Sequence, residues 1–203
     1  MKRGKRIRVL AKPLPPVRIP RKLRPPRGVR LVSHGGFPPG PRTGWVRMSF
    51  RRLFDEQHVI LEIQNHTKDE ALREMVEYLG KIHRFPKKRV EALVEAILER
   101  EAQGATGIGK GVALPHAKHP ELKQTYALLA RCSDGLDFNA ADHQPVHVLF
   151  LVLSPETNPE EHIKFLRWIS YIARQRDFRS FFLQARNVEE ALGLLDEFGP
   201  QEG

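Results

Sequence analysis

The run VHVLFLVL at residues 146–153 restricts the fold more than any other part of this 203-residue chain. Seven of its eight positions are apolar, with none of the polar alternation of a strand that faces water on one side. It reads as a strand buried on both faces, so a packed layer has to lie above and below it. HVILEI (58–63) alternates loosely and TYALLAR (125–131) is a short apolar run, so these two also read as strands.

Helical periodicity supplies the covering layers. In NHTKDEAL, Thr67 is an N-cap and Glu70, three residues on, is its capping-box partner. Ala71, Leu72, Met75, Val76 and Leu79 then form one apolar stripe, which Gly80 closes. A second helix starts near Pro86 and carries Val90, Leu93, Val94, Ile97 and Leu98 at i, i+3, i+4, i+7 and i+8. A third has Asn158 as its cap, Pro159 in its first turn, and Ile163, Leu166, Ile169 and Ile172 as its stripe. RDFRSFF and NVEEALGLLDEF close the chain as two more helices, capped by Asp177 and Asn187. The order of strand, two helices, strands and helices predicts an α/β fold: a single domain with a mixed sheet flanked by helices.

Charge divides the chain in two. Residues 1–47 hold 14 Lys or Arg, no Asp or Glu, and 9 of the 16 prolines. Proline at this density blocks helices and strands and like charges repel, which predicts a disordered basic tail. The other 156 residues hold 20 Lys or Arg against 24 Asp or Glu, so residues 48–203 are mildly acidic and no nucleic-acid binding is expected of them. The tail itself has two readings: a polybasic arm for RNA, DNA or an acidic membrane surface, or a segment upstream of a true start at Met48. No stretch approaches the ~18 continuous apolar residues of a membrane span. One cysteine, Cys132, excludes an internal disulfide, reads as a packed core residue, and points to a reducing cytoplasm.

Chemistry is concentrated in GATGIGKGVALPHAKHP, residues 104–120. Its first eight residues come close to the phosphate loop G-x-x-x-x-G-K-[ST], but three features refuse that reading. Gly111 stands where a hydroxyl must hold magnesium, a helix rather than a strand precedes the loop, and Pro115 blocks the helix that should follow. The other reading uses every feature. Val112–Leu114 form a short strand before Pro115, and His116 emerges just past its end. Gly107 and Gly109 let backbone approach a phosphoryl group, Thr106 adds a hydroxyl donor, and Arg100 folds back from the helix end as a planar donor.

LEREAQGATGIGKGVALPHAK resembles the signature of the phosphotransferase-system enzyme IIA domain of the fructose/mannitol type, including its nitrogen-regulatory members. The resemblance runs from about residue 54 to 198, and DHQPVHVLFLVLSP and EEHIKFL resemble the family's later strand and helix. It implies that His116 is the phosphorylated histidine, Arg100 its supporting arginine and His162 the second histidine of the site. Two positions depart from the pattern: Ala105 stands where many members have serine, and His143 where glycine is usual.

The implied activity is phosphoryl transfer: His116 takes the group from an HPr-like carrier and passes it on, with no cofactor. The downstream partner is a regulatory target for a nitrogen-type protein, or a permease IIB subunit for a sugar-specific one; a nucleic-acid-binding role through the tail is the remote alternative. Pairs such as His116 with His119 and His143 with His147 have conceivable zinc spacing, but no helix is predicted under either, and no metal site is assigned. His147 reads as a satisfied core residue, and His34, His58, His66 and His83 as ordinary surface or terminal residues.

Overall fold

The computed structural model describes residues 50–200. The basic segment 1–47, the expectation of disorder made for it, and His34 lie outside the described residues. Two 3-10 turns, Phe50–Leu53 and Glu56–His58, lead into β1 (Val59–Ile60), α1 (Lys68–Ile82) and α2 (Lys87–Ala102). Four strands follow: β2 (Gly107–Gly109), β3 (Val112–Ala113), β4 (His116–Lys118) and β5 (Tyr126–Leu136). The chain ends in β6 (Val146–Ser154), α3 (Pro159–Arg174), α4 (Arg176–Gln184) and α5 (Val188–Phe198).

The apolar run lies in β6, and its neighbours make the sheet mixed. β5 pairs with it antiparallel on one side, and β1 pairs parallel with β5 beyond. Along the other side of β6 run β3 and then β4, both parallel to it, with β2 antiparallel to β3. Pleating sends alternate residues to two separate cores. Leu149, Leu151 and Leu153 meet Leu72, Met75, Leu93 and Ile97 of α1 and α2. Val148, Phe150 and Val152 meet Phe165, Ile169, Ile172 and Phe178 of α3 and α4. The sandwich expected from the composition of β6 is therefore present, with two helices on one face and three on the other among the described residues.

Several elements differ in detail from the sequence reading. The first strand is two residues long rather than six. After Ile60, one backbone bond from the Ile63 N–H to the Arg131 carbonyl (2.8 Å) continues toward β5, and the Glu62 carboxylate adds side-chain bonds, accepting from the Ser133 N–H at 2.7 Å and from its hydroxyl at 2.6 Å. The α3 stripe is rotated: His162, Phe165, Trp168, Ile169 and Ile172 are buried, whereas Ile163 is 47% exposed. The cap of α4 is Gln175, and Asp177 falls in its first turn. Thr67 and Asn187 do cap their helices, accepting from the N–H groups of Glu70 and Glu190.

Gly80 does not end α1, which continues to Ile82. The glycine is needed for packing, because a Cβ built on it would lie 2.5 Å from Val90 Cγ2 on α2. Gly80→Ala should therefore destabilise the fold by about 1–2 kcal/mol despite the higher helix propensity of alanine. In a Val90→Ala background the same change should become neutral or stabilising. Urea denaturation of the four-member cycle checks this, and equal costs in both backgrounds would refute the contact.

Candidate functional site

His116 stands where three elements meet. β4 carries it on an edge of β6, α2 ends nearby with Arg100, and the first turn of α3 brings His162 beside it. It begins a strand of its own, rather than lying just beyond the preceding one as the sequence reading had it, because β6 is long enough to pair with β3 and β4 in succession.

The His116 ring is half-buried, and its Nδ1 lies 2.8 Å from the carbonyl oxygen of Leu114. A carbonyl can only accept, so Nδ1 carries the hydrogen and Nε2 keeps its lone pair. Burial lowers the pKa of His116 below its ordinary 6.5; the charges of Arg100 and Lys118 push the same way, and the Leu114 bond opposes them. The ring is neutral at pH 7, with a nucleophilic nitrogen available.

His162 is only 4% exposed, and its ring centre lies 5.4 Å from that of His116. Burial, with the nearby charges of His116, Lys118 and Arg100, lowers its pKa to about 4. Its Nδ1 is 2.9 Å from Ser154 Oγ. The two rings, Arg100, Lys118, Ile163 and Leu166 line an open cavity of about 500 Å³. Arg100 and His116 also line a smaller one of about 220 Å³ that reaches Ala105, Thr106 and Ile108. The Arg100 guanidinium is held by a 3.0 Å bond from Nη1 to the Gly104 carbonyl.

The glycine run has a different job from the one its composition suggested. Gly107 and Gly109 belong to a β-hairpin whose two-residue turn, Lys110–Gly111, has positive φ at both positions (56° and 76°), as a type I′ turn requires. A Cβ on Gly107 would come within 2.9 Å of Ala140 Cβ, and one on Gly109 within 3.0 Å of the Asp142 carboxylate. These glycines admit the 138–142 segment, and neither lines the two cavities around His116. Asp142 completes that contact by accepting from the Lys110 N–H at 2.6 Å. His143, next to it, has φ 53°, a left-handed backbone that costs a side chain about 1 kcal/mol and that glycine adopts freely.

Thr106 is also engaged elsewhere. Its hydroxyl donates to Glu101 at 2.6 Å, and its N–H lies 3.2 and 3.3 Å from the two oxygens of that carboxylate. The expected phosphate donor is thus the clamp between α2 and the loop. Glu101, 4% exposed and supported by Lys68 at 3.6 Å, is the residue sequence reasoning left without a role. An unpaired carboxylate so buried would cost several kcal/mol, which is why the loop must fold onto it. Lys118 was likewise missed, although its position two residues after His116 on a strand puts both on one face.

The remaining histidines divide differently from expectation. His147 Nδ1 lies 3.0 Å from the Cys132 carbonyl, in keeping with a satisfied strand residue. His66 is exposed. His58 and His83 are not ordinary surface residues: His58 is buried, bonds Asp55 through Nδ1 at 2.7 Å, and meets His83 Nε2 to Nε2 at 3.1 Å. Among the described residues, no group of three or more His, Cys, Asp or Glu converges on a metal position. Among the same residues, no helix is long and apolar enough to cross a membrane.

Residues 52–198 match the family described as "Phosphoenolpyruvate-dependent sugar phosphotransferase system, EIIA 2". The chain belongs to this EIIA 2 family. A nitrogen regulatory protein of Bradyrhizobium diazoefficiens is 30% identical to it over 148 residues, 73% of this chain and 95% of the relative. The fructose-specific EIIABC component of Bacillus subtilis is 29% identical over 150 residues, and there the chain spans only 23% of the relative's length. Among solved structures, the nitrogen regulatory protein IIA-Ntr of Neisseria meningitidis aligns with TM-score 0.64 and 26% identity, covering 71% of this chain and 97% of that one. The complex of mannitol enzyme IIA with phosphorylated enzyme IIB of Escherichia coli aligns at TM-score 0.59 and 21% identity, over 71% of this chain and 97% of its partner in the alignment.

Burial of a neutral His162 in this EIIA 2 domain makes stability depend on pH. The unfolded chain takes up the proton near 6.5 and the folded one near 4, so the unfolded state binds more protons between those values. The stabilisation is complete above pH 6.5 and is lost as pH falls toward 4, a difference of roughly 3 kcal/mol. Thermal denaturation of wild type and His162→Gln between pH 7 and 4.5 checks this. The variant should lose less stability over that range, and parallel losses would refute it.

Proposed function

We propose that this EIIA 2 protein accepts a phosphoryl group on His116 Nε2 from a phosphohistidine of an HPr-like carrier protein, and that its phosphorylation state regulates a partner in the manner of a nitrogen-type enzyme IIA. The observation that carries the reading is the Leu114 carbonyl on Nδ1, which leaves Nε2 as a lone pair in a cavity shared with a guanidinium. The Nε2–P bond forms as the carrier's N–P bond breaks, and the electron pair of that bond returns to the carrier's imidazole. Positive charge grows on the His116 ring during the step, and the Leu114 carbonyl stabilises it through Nδ1–H. Arg100 and Lys118 offset the charge of the phosphoryl oxygens, and the exposed Ile163, beside a partly buried Leu166 at the cavity edge, gives a carrier protein apolar surface to meet.

The regulatory reading is supported by the Bradyrhizobium relative, which this domain matches over nearly its whole length, so that an EIIA-like unit alone makes up almost all of a regulatory protein. Onward transfer to a IIB subunit is the second reading, favoured by the mannitol IIA–IIB complex that shares the fold. Incubation with phosphoenolpyruvate, enzyme I and HPr, followed by intact-mass measurement, should place one acid-labile phosphoryl group on wild type and none on His116→Ala. Arg100→Ala should slow labelling about 100-fold or more without unfolding the protein. Undiminished labelling of His116→Ala would overturn the assignment. Rapid loss of label to an added fructose-type IIB domain would favour the second reading over the first.

A further inference from the structure

We propose that Ser154 is a positioning residue which holds His162 in the tautomer that presents Nε2–H to the phosphoryl group on His116. The inference rests on the phosphoryl-transfer reading of His116 and extends it to a residue deep in the sheet. Ser154 ends β6 and is fully buried, with Oγ 2.9 Å from His162 Nδ1. Its only other side-chain hydrogen-bond candidate among the described residues is the Thr125 hydroxyl, 3.5 Å away. At 3.5 Å the Thr125 contact is too long for an ordinary O–H···O bond, whereas the imidazole nitrogen at 2.9 Å is within range, so the serine's single proton is directed at the imidazole.

An imidazole that accepts at Nδ1 and is neutral must carry its hydrogen on Nε2. Burial keeps His162 neutral at physiological pH, which excludes the doubly protonated ring. Among the described residues Nε2 of His162 has no hydrogen-bond partner, and the ring lines the same cavity as His116. The two histidines are thereby given opposite roles by what touches their Nδ1 atoms. A carbonyl on His116 makes its Nε2 a lone pair, and a hydroxyl on His162 makes its Nε2 a donor. With ring centres 5.4 Å apart, a tetrahedral phosphoryl group bonded to the first nitrogen brings an oxygen within reach of the second. The reverse tautomer would present a lone pair to an anionic oxygen, and the pair would repel.

The experiment combines ¹⁵N NMR of the imidazoles with phosphorylation rates from HPr for wild type, Ser154→Ala and Ser154→Thr. Wild type should show His162 wholly as the Nε2–H tautomer. Ser154→Ala should show a mixture of the two tautomers and accept phosphate roughly tenfold more slowly. Ser154→Thr, which keeps the hydroxyl, should restore both. An Nδ1–H tautomer in wild type overturns the proposal without the need for any variant. So does a Ser154→Ala protein in which the rate changes but not the tautomer, or the tautomer but not the rate. His116→Ala, run in parallel, separates the two ideas: labelling of that variant sinks the phosphoryl-transfer reading, whereas its silence together with an unmoved Ser154→Ala sinks only this one.

Discussion

A carbonyl oxygen has no proton to give, and the bond between Leu114 and His116 therefore decides which ring nitrogen is free. That contact depends on a short stretch of main chain, Leu114–Pro115, which carries the chain from β3 to β4 along one edge of β6. Proline keeps the residue before it extended, so the Leu114 carbonyl is aimed by backbone geometry rather than by a flexible side chain. β6 in turn is held by two cores, one on each face, and His116 is paired to it through β4. The nucleophile we propose is a half-buried group mounted beside a strand that is packed on both faces.

The charges around it are arranged with the same economy. The cations Arg100 and Lys118 face the cavity, while Glu101, next in sequence to Arg100, points inward and clamps the loop through Thr106. A helix end thus serves two purposes with adjacent residues, one electrostatic and one structural. The same division explains the glycines. The run was attractive as a phosphate cradle because its spacing leaves backbone amides open. In the folded chain that openness is filled by Phe138, Ala140 and Asp142, whose segment packs where Cβ atoms would otherwise be.

Much of the architecture was legible because it follows from periodicity and capping, which are local. The unbroken apolar run of β6 required cover on both faces, and Thr67, Asn158 and Asn187 each cap a helix through their own side chains. Misreadings arose where two elements compete for one position. Gly80 resembled a helix stop but makes room for Val90. Ile163 resembled a core residue but lies at the cavity edge, because α3 turns the face bearing His162 and Phe165 toward the sheet.

By itself the sequence determined a two-faced α/β sandwich, the division between a basic Pro-rich segment and a mildly acidic domain, and the membership of Arg100 and His116 in one motif. These are carried by residue type and spacing along the chain. Only the tertiary structure decided the protonation pattern of the two facing imidazoles, the turning of Thr106 onto Glu101, and the meeting of Ser154 with His162. Each of those depends on which atom of one segment lies within about 3 Å of an atom of another, and no local pattern encodes that distance.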